Sequence, residues 1–230
     1  MATGTAMRFR NRTEAGRLLA ERVREYGGRD DVIVLGLPRG GVVVAFEIAR
    51  ALDAPLDVFL VRKLGVPGHE ELALGAIATG GTRVLNKQVI ESLDIPPQSI
   101  EAMDAKERRE LERRELAYRA GRPPPDLAGK TAILVDDGLA TGSTMLAAIH
   151  AARQGDPARV VVAVPVADLG VCEQLRAVAD EVQCLSTPRP LRAIGLWYED
   201  FAQTSDHEVR ELLELARRPS PARGPENATS

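Results

Sequence analysis

The stretch T-A-I-L-V-D-D-G-L-A-T-G-S-T-M, residues 131–145, runs from a continuous apolar segment through two adjacent carboxylates into a loop and a helical segment. A buried strand, a loop and a helix in succession place free backbone N–H groups and a positive helix end at one point, which suits a phosphate group. Residues Thr141–Thr144 supply the amides and three hydroxyls. The lysine of a P-loop and the G-x-G-x-x-G spacing of a dinucleotide fingerprint are both missing from this loop. We therefore expect a phosphate site of another kind.

Two carboxylates, Asp136 and Asp137, stand in front of this expected phosphate site. They would repel a bare phosphate, but carboxylates accept hydrogen bonds from sugar hydroxyls and can face Mg²⁺ directly or through water. The implied ligand is a phosphate attached to a diol, and ribose 5-phosphate fits that description. The alternative is a helix-capping pair, although capping needs only one such residue and the loop separates both from the helix start.

The composition predicts a single globular domain over residues 1–216. With 230 residues, of which 44% are apolar, the chain is long enough for one substantial core. The net charge of −3 provides no general attraction to nucleic acid or to an anionic membrane surface, so an anion site must be local. Cys172 and Cys184 have neither metal-ligand nor redox spacing, and no apolar run is long enough to span a membrane. We expect a cytoplasmic protein without a membrane partner.

Apolar runs alternate with helical patterns along most of the chain, which predicts an α/β fold. We expect a Rossmann-like parallel sheet with helices on both faces, in which ligands bind beyond the carboxyl ends of the strands. The predicted strands are 32–35, 56–61, 131–135, 160–164 and 181–185. The predicted helices are 14–26 with Thr13 as N-cap, 42–52, 99–119, 145–153 and 171–179.

Other segments depart from this alternation. The glycine-rich residues 65–81 predict a mobile loop that runs into a hairpin near Arg83–Leu85, the whole mobile region covering about 65–95. His69, Glu70 and Glu71 in this loop are either part of a lid or ordinary exposed polar residues. Residues 99–119, dense in Glu and Arg, predict a solvated helix, 122–126 a proline-rich linker and 217–230 a disordered tail.

The segment V-D-D-G-L-A-T-G-S-T, residues 135–144, resembles the phosphoribosyl-diphosphate (PRPP) motif of the type I phosphoribosyltransferases. In that family a second loop binds the pyrophosphate, and P-R-G-G, residues 38–41, follows the first predicted strand where that loop belongs. A third loop follows the next strand, where Lys63 matches the basic residue of the family near the diphosphate. The matched units cover about residues 30–165 and imply the type I phosphoribosyltransferase fold.

The resemblance implies a Mg²⁺-dependent transfer of ribose 5-phosphate from PRPP to a nitrogenous base, with release of pyrophosphate. It assigns the catalytic roles to Arg39, Lys63, Asp136 and Asp137, and the two aspartates also face the metal. Arg39 could instead be a surface residue in a turn, and Lys63 a solvated lysine beside Arg62. We expect a homodimer. The implied PRPP-binding residues are Arg39, Gly40, Gly41, Lys63, Asp136, Asp137, Gly138, Ala140, Thr141, Gly142, Ser143 and Thr144.

The acceptor base is expected under a small C-terminal hood, residues 186–207. Members that use 6-oxopurines carry a third aspartate where this chain has Ala140, so hypoxanthine and guanine are disfavoured. The hood concentrates Trp197, Tyr198 and Phe201 in a chain with only 3% aromatic residues. We expect a small planar base stacked on Trp197 or Tyr198. The alternative is that these rings pack the hood onto the sheet.

Two functions of other classes remain open. The first is a PRPP-sensing regulator that binds RNA or DNA, which the acidic charge balance disfavours. The second is a protein-interaction module that uses the charged helix 99–119 and keeps a vestigial site, which the complete set of polar groups in the loop disfavours. A gel-shift assay and a pyrophosphate-release assay distinguish the three functions.

Overall fold

The computed structural model describes residues 8–66 and 69–218. The strands are β1 Val32–Gly36, β2 Leu56–Val58, β3 Val61–Val66, β4 His69–Ala78, β5 Thr82–Leu85, β6 Thr131–Val135, β7 Arg159–Val166 and β8 Glu181–Ser186. The helices are α1 Arg12–Arg22, α2 Gly40–Leu52, α3 Lys87–Ser92, α4 Pro97–Arg119, α5 Ser143–Arg153, α6 Leu169–Leu175 and α7 Asp206–Leu215. In the described part of the chain, no helix combines the length and apolarity needed to cross a bilayer.

The central sheet is parallel, with strand order β2-β1-β6-β7-β8. Alternate residues of its strands face opposite sides of the sheet. Val34 and Ile133 lie in the apolar cluster that includes residues of α1, α2, α4 and α7. Leu35 and Leu134 lie in a second cluster with residues of α5 and α6. Because both faces are covered, the inner strands β1, β6 and β7 are mostly apolar, whereas the edge strands β2 and β8 also carry polar residues. The predicted fold class is confirmed.

A second, antiparallel sheet with strand order β3-β4-β5 occupies most of the segment predicted to be a mobile loop that runs into a hairpin. The predicted hairpin near Arg83–Leu85 is the β4–β5 pair. The predicted strand 56–61 was therefore wrong in extent: β2 ends at Val58, and β3 begins the second sheet at Val61. The glycines of this segment obscured the strand pattern, but Leu64 and Ile77 are fully buried and anchor the second sheet to the core. Pro67 and Gly68 lie outside the described residues. The mobility of the segment and its role as a lid stay predictions.

Helix α1 begins earlier than predicted. Its N-cap is Asn11, not Thr13, because the Asn11 side chain accepts a hydrogen bond from the backbone N–H of Glu14 at 3.0 Å. The helix ends at Arg22, and Tyr26 belongs to a separate 3₁₀ turn.

Helix α4, Pro97–Arg119, confirms the predicted helix 99–119, and most of its residues are exposed or partly exposed as expected of a solvated helix. Ile100, Leu111, Tyr118 and Arg119 are buried against the rest of the protein. The apolar residues are too widely spaced along this charged sequence to predict which face is covered. Of the predicted tail 217–230, residues 219–230 lie outside the described residues.

Candidate functional site

The loop that follows β6, residues 136–144, exposes a group of hydrogen-bond donors. Gly142, with φ +70°, is the N-cap of α5 and provides no capping side chain, so the first amides of α5 are open to a ligand. The exposed hydroxyls of Thr141 and Ser143 lie 2.8 Å apart beside these amides. A side chain at Gly142 would collide with Val171 of α6 as well as strain the backbone. This loop, called the phosphate loop below, therefore combines a helix N-terminus with hydroxyl donors.

The phosphate loop is attached to the neighbouring strand. The backbone N–H of Leu139 donates to the carbonyl of Val166 at 2.9 Å, and the N–H of Asp168 donates to the carbonyl of Leu139 at 3.2 Å. Because both bonds join the loop to the end of β7, the centre of the loop is fixed relative to the sheet.

Asp136 and Asp137 lie at the start of this loop, both partly buried. The Asp136 carboxylate accepts a hydrogen bond from the backbone N–H of Asp137 at 2.9 Å. Burial, assisted by the charge of Asp137, raises the pKa of Asp136 well above its usual range. Burial also raises the pKa of Asp137, and the neighbouring Arg12 opposes that rise. The pair is therefore a concentration of negative charge that one cation already offsets.

Arg12, at the start of α1, is the site residue that sequence reasoning missed. Its Nε donates to Oδ2 of Asp137 at 2.6 Å, and the two side chains are only 12% and 14% exposed. Its Nη1 donates to the carbonyl of Ala202 at 2.8 Å, and its guanidinium carbon lies 3.9 Å from the ring centroid of Phe201. The residue lies 125 positions from Asp137 in a polar segment, so nothing in the sequence pointed to it.

The loop Pro38–Gly41, called the diphosphate loop below, follows β1 and lies against the aspartate pair. A side chain at Gly40 would collide with the Asp137 carboxylate, and a Cβ at Gly41 would lie 2.7 Å from the carbonyl oxygen of Val135. Only glycine permits this approach at either position. The Pro38–Arg39 peptide bond is cis. Helix α2 starts at Gly40 without a side-chain cap, so a second helix N-terminus opens at this point.

Arg39 lies at the outer edge of the diphosphate loop. Its side chain is 38% exposed, and its Nη1 is 3.9 Å from Oδ1 of Asp206 at the start of α7. Asp206 also accepts a 2.6 Å hydrogen bond from the Tyr118 hydroxyl, and burial together with this bond raises the pKa of Tyr118 to about 12. Because the Arg39 contact is long and partly solvated, the guanidinium is free to turn toward an anion.

Lys63 is exposed on β3, where it pairs with Ala76 of β4. The expectation that it lies in a loop after a strand of the main sheet was wrong, because the chain has already entered the second sheet. The adjacent Arg62 forms an ion pair with Glu107 of α4, with a 2.7 Å hydrogen bond. Within the described residues Lys63 has no ion pair, so of these two cations Lys63 is the one available to a ligand.

The predicted hood contains the 3₁₀ turn Ile194–Trp197 and is completed by the N-terminal segment of the chain. The Phe9 N–H donates to the Trp197 carbonyl, and the Glu199 N–H donates to the Phe9 carbonyl, both at 2.8 Å. These bonds add residues 8–10 to the hood as a short extended segment.

Tyr198 is not available to stack on an acceptor, and that prediction was wrong. Its side chain is 1% exposed, with the Phe9 ring centroid 5.4 Å away and the Phe201 centroid 4.9 Å away. Its hydroxyl donates to the backbone carbonyl of Asp137 at 2.6 Å. Tyr198 therefore packs the hood onto the site, as the alternative foresaw. Trp197 is partly exposed, and Ala140 is exposed on the phosphate loop.

The carboxylates do not form a metal cage by themselves. Within residues 8–66 and 69–218, no group of three or more His, Cys, Asp or Glu side chains could hold a metal ion. Mg²⁺ is commonly held by one or two carboxylates together with substrate phosphates and water. Asp136 and Asp137 fit that arrangement, in which the ion arrives with a diphosphate.

Comparison with known proteins identifies relatives of this chain. A solved structure, TT1426 from Thermus thermophilus, is 46% identical, covers 90% of this chain and 98% of its own, and superposes with a TM-score of 0.83. A protein of Mycobacterium tuberculosis (strain ATCC 25618 / H37Rv), provisionally named phosphoribosyl transferase Rv0571c, is 47% identical over 210 residues. That match covers 91% of this chain and 47% of the relative, so the chain spans about half the length of the curated relative.

A shorter match joins the chain to the bifunctional protein PyrR of Chloroflexus aurantiacus (strain ATCC 29366 / DSM 635 / J-10-fl), which is 37% identical over 136 residues. It covers 55% of this chain and 65% of that protein. The family model of the phosphoribosyl transferase domain matches residues 10–196, a span that includes Arg12, the phosphate loop, the diphosphate loop and the first half of the hood. The chain therefore belongs to the phosphoribosyl transferase family.

Proposed function

We propose that this protein is a phosphoribosyltransferase, which moves ribose 5-phosphate from PRPP to a nitrogenous base and releases pyrophosphate. One observation carries the proposal: two anion-binding loops meet at the carboxyl ends of neighbouring strands, with an aspartate pair between them. The contacts of Gly40 and Gly41 with Asp137 and Asp136 bring the loops together. A sugar with a phosphate on one side and a diphosphate on the other matches this arrangement.

In this proposal the phosphate loop holds the 5-phosphate. The first amides of α5 and the hydroxyls of Thr141, Ser143 and Thr144 donate to it. Asp136 and Asp137, at the start of the same loop, then accept hydrogen bonds from the ribose hydroxyls, because an ionised carboxylate is a hydrogen-bond acceptor. Gly138, Ala140 and Gly142 contribute backbone rather than side-chain contacts.

The diphosphate lies on the other side of the ribose. The N–H groups of Gly40 and Gly41 and the free N-terminus of α2 donate to it, and Arg39 and Lys63 provide positive charge. Asp136 and Asp137 would hold a Mg²⁺ ion that enters with PRPP, and such an ion would offset part of the diphosphate charge. Neutralisation favours departure of pyrophosphate from C1, since the leaving group carries the electron pair of the broken bond.

The transition state develops positive charge on the ribose as pyrophosphate leaves. Asp136 and Asp137 stabilise that charge by proximity, and the loops orient C1 toward the incoming base. A closed hood would exclude the water that otherwise hydrolyses PRPP.

For the acceptor we propose a planar heterocycle other than hypoxanthine or guanine. Ala140 stands where the resemblance places a proton-exchanging aspartate in 6-oxopurine members, and an alanine cannot exchange a proton. Trp197 and Phe201 are both partly exposed rings of the hood, but Phe201 is covered by the Arg12 guanidinium, so Trp197 remains the candidate for stacking.

Binding is tested first, by the melting temperature with PRPP and Mg²⁺. Wild type should be stabilised by mass action, whereas ribose without phosphate should have no effect. The double variant Asp136→Asn, Asp137→Asn should lose most of the shift. A double variant that binds PRPP as tightly as wild type would contradict the diol assignment.

Turnover is tested next, with a panel of free bases, PRPP and Mg²⁺, read by mass spectrometry for new nucleotides. Product from a base other than hypoxanthine or guanine supports the proposal, and fast turnover of those two contradicts the Ala140 argument. Binding of PRPP without turnover of any base, together with an RNA or DNA gel shift, would instead favour the regulator. The expected homodimer stays a prediction, which light scattering checks.

A further inference from the structure

Arg12 connects three parts of the molecule that the proposed function uses separately. Its guanidinium contacts the Asp137 carboxylate at 2.6 Å, the Ala202 carbonyl at 2.8 Å and the Phe201 ring at 3.9 Å. We propose that Arg12 is a positioning residue, which fixes the Asp137 carboxylate as an acceptor for a ribose hydroxyl and couples it to the hood. The inference rests on the proposed function, because it assigns a residue to the ribose site.

The contacts of Asp137 show how completely it is oriented. Its backbone N–H donates to Asp136 at 2.9 Å, its backbone carbonyl accepts from the Tyr198 hydroxyl at 2.6 Å, and Arg12 holds carboxylate oxygen Oδ2. Among the described residues no group donates to the other oxygen, Oδ1. One oxygen of a fixed carboxylate is thus left for a ligand hydroxyl.

Arg12 is itself held in place, which a positioning residue requires. The Ala202 carbonyl accepts from one nitrogen, and the Phe201 ring lies against the guanidinium. Its side chain is only 12% exposed, so solvent does little to screen the ion pair. Because Arg12 is fixed in this way, it holds the Asp137 carboxylate in one orientation.

Charge gives the second reason. Two adjacent carboxylates repel each other, and a single guanidinium beside one of them offsets about one unit of charge. Without Arg12 the Asp137 carboxylate would be partly buried and unpaired, and turning toward water would relieve that cost. A turned carboxylate no longer meets the ribose hydroxyl, so loss of Arg12 should weaken ribose binding. Arg12 Nε also lies beside Gly40, but the donors of the diphosphate loop are backbone N–H groups, which the substitution leaves in place.

The experiment compares two probes, ribose 5-phosphate and inorganic pyrophosphate, by isothermal titration calorimetry. The variants are Arg12→Gln, Arg12→Lys and, as a matched control, Arg10→Gln. Arg10 lies two residues away, is 72% exposed and pairs with Glu14 instead of with the site. Far-UV circular dichroism and melting temperature establish that each variant is folded.

We expect Arg12→Gln to weaken ribose 5-phosphate binding by about tenfold or more, the usual worth of a hydrogen bond to a charged group. Pyrophosphate affinity should change less than about twofold, within the scatter of independent sites. Arg12→Lys should recover part of the lost affinity, because it keeps the charge but loses the planar fork. In an Asp137→Asn background, Arg12→Gln should have little further effect. The Arg10→Gln control should bind both probes like wild type.

Three results would overturn the inference. The first is an Arg12→Gln variant that binds ribose 5-phosphate as tightly as wild type or more tightly. Equal losses for the two probes in a folded variant would mean that Arg12 supports the site as a whole and does not position Asp137 for the ribose hydroxyl. An undiminished effect of Arg12→Gln in the Asp137→Asn background would mean that it acts through another group. Wild type that binds neither probe would instead overturn the proposed function, and this inference with it.

Discussion

Arg119 is a cation that belongs to the core. It is 1% exposed at the end of α4, and its guanidinium pairs with Asp57 at 3.1 Å and with Glu115 at 2.8 Å. It also donates to the carbonyl of Val58 at 2.7 Å. Because Asp57 and Val58 are in β2, this side chain joins the long charged helix to the edge of the main sheet.

We expect Arg119→Ala to lower the free energy of unfolding by about 3 kcal/mol, since it leaves two carboxylates and a carbonyl without their partner. This value is at the low end of the usual range, because Asp57 and Glu115 retain 18% and 21% exposure. Urea denaturation measures the change. The control Arg113→Ala removes a side chain that is 63% exposed and pairs with Glu110, which is 30% exposed, and it should cost less than about 1 kcal/mol. Equal costs for the two variants would contradict the core role of Arg119.

The site residues divide by how far apart they lie in sequence. Asp136, Asp137 and the phosphate loop form one contiguous motif, so local pattern was enough to propose them. Arg12 could not be predicted, because its role depends on a contact with a residue 125 positions away. Tyr198 was assigned the wrong role for the same reason, since Phe9 covers it from the other end of the chain.

At the scale of elements, the start of α5 depends on Gly142. This residue has φ +70°, and a Cβ there would meet Val171 of α6. Gly129, just before β6, has a similar φ of +68° but has no atom within 4 Å of the position of a Cβ. Comparing substitutions at the two glycines therefore distinguishes the cost of backbone strain from the cost of a steric collision.

We expect Gly129→Ala to cost about 1–2 kcal/mol of unfolding free energy through strain alone. Gly142→Ala should cost about 1–3 kcal/mol more, because the new methyl group also displaces α6 or the phosphate loop. Only Gly142→Ala should weaken ribose 5-phosphate binding. Urea denaturation and calorimetry of both variants check these expectations, and equal stabilities of the two would show that Val171 yields without cost.

The second sheet should protect its backbone amides from hydrogen exchange. The amides of β3 and β4 pair across the sheet, and Leu64, Leu74 and Ile77 anchor it to the core. Hydrogen-exchange mass spectrometry of the ligand-free protein should therefore show slow exchange around Ile77, because paired amides on a buried strand open rarely. Exchange should be faster where the register shifts between Leu64 and Val66. Uniformly fast exchange from Val61 to Leu85 would restore the mobile loop that the sequence predicted.

The elements differ in how well the sequence predicted them. The inner strands β1, β6 and β7 of the main sheet are nearly continuous apolar runs, because helices cover both faces, so their pattern is strong. The second sheet contains several glycines, which weaken any strand pattern, and it could not be distinguished from a loop. The buried face of α4 was also beyond prediction, since Arg119 and Tyr118 are held by polar contacts rather than by an apolar stripe.

At the scale of the whole molecule, residues near the two ends of the described chain pack against each other. Phe9 is fully buried and packs with Tyr198, while the Tyr198 hydroxyl bonds to the backbone of Asp137 at the end of β6. The hood is thereby connected to the central sheet through one aromatic cluster. The hood, the proposed ribose site and the N-terminal segment should unfold together with the sheet in wild type.

This connection is tested by Phe9→Ala, which removes a fully buried ring and should cost about 3 kcal/mol. Trp197, the one tryptophan in the chain, lies in the hood, so its fluorescence reports on the hood while far-UV circular dichroism reports on the whole fold. In wild type both signals should change at the same urea concentration, as two-state unfolding requires.

In Phe9→Ala the fluorescence transition should come at lower urea than the dichroism transition, because the hood loses its packing while the buried sheet keeps its own. The control Leu196→Ala changes a neighbouring side chain that is 63% exposed and should leave the transitions coincident. Coincident transitions in Phe9→Ala, merely shifted to lower urea, would mean that hood and sheet cannot separate. The aromatic cluster would then be part of a single core that includes the ribose site.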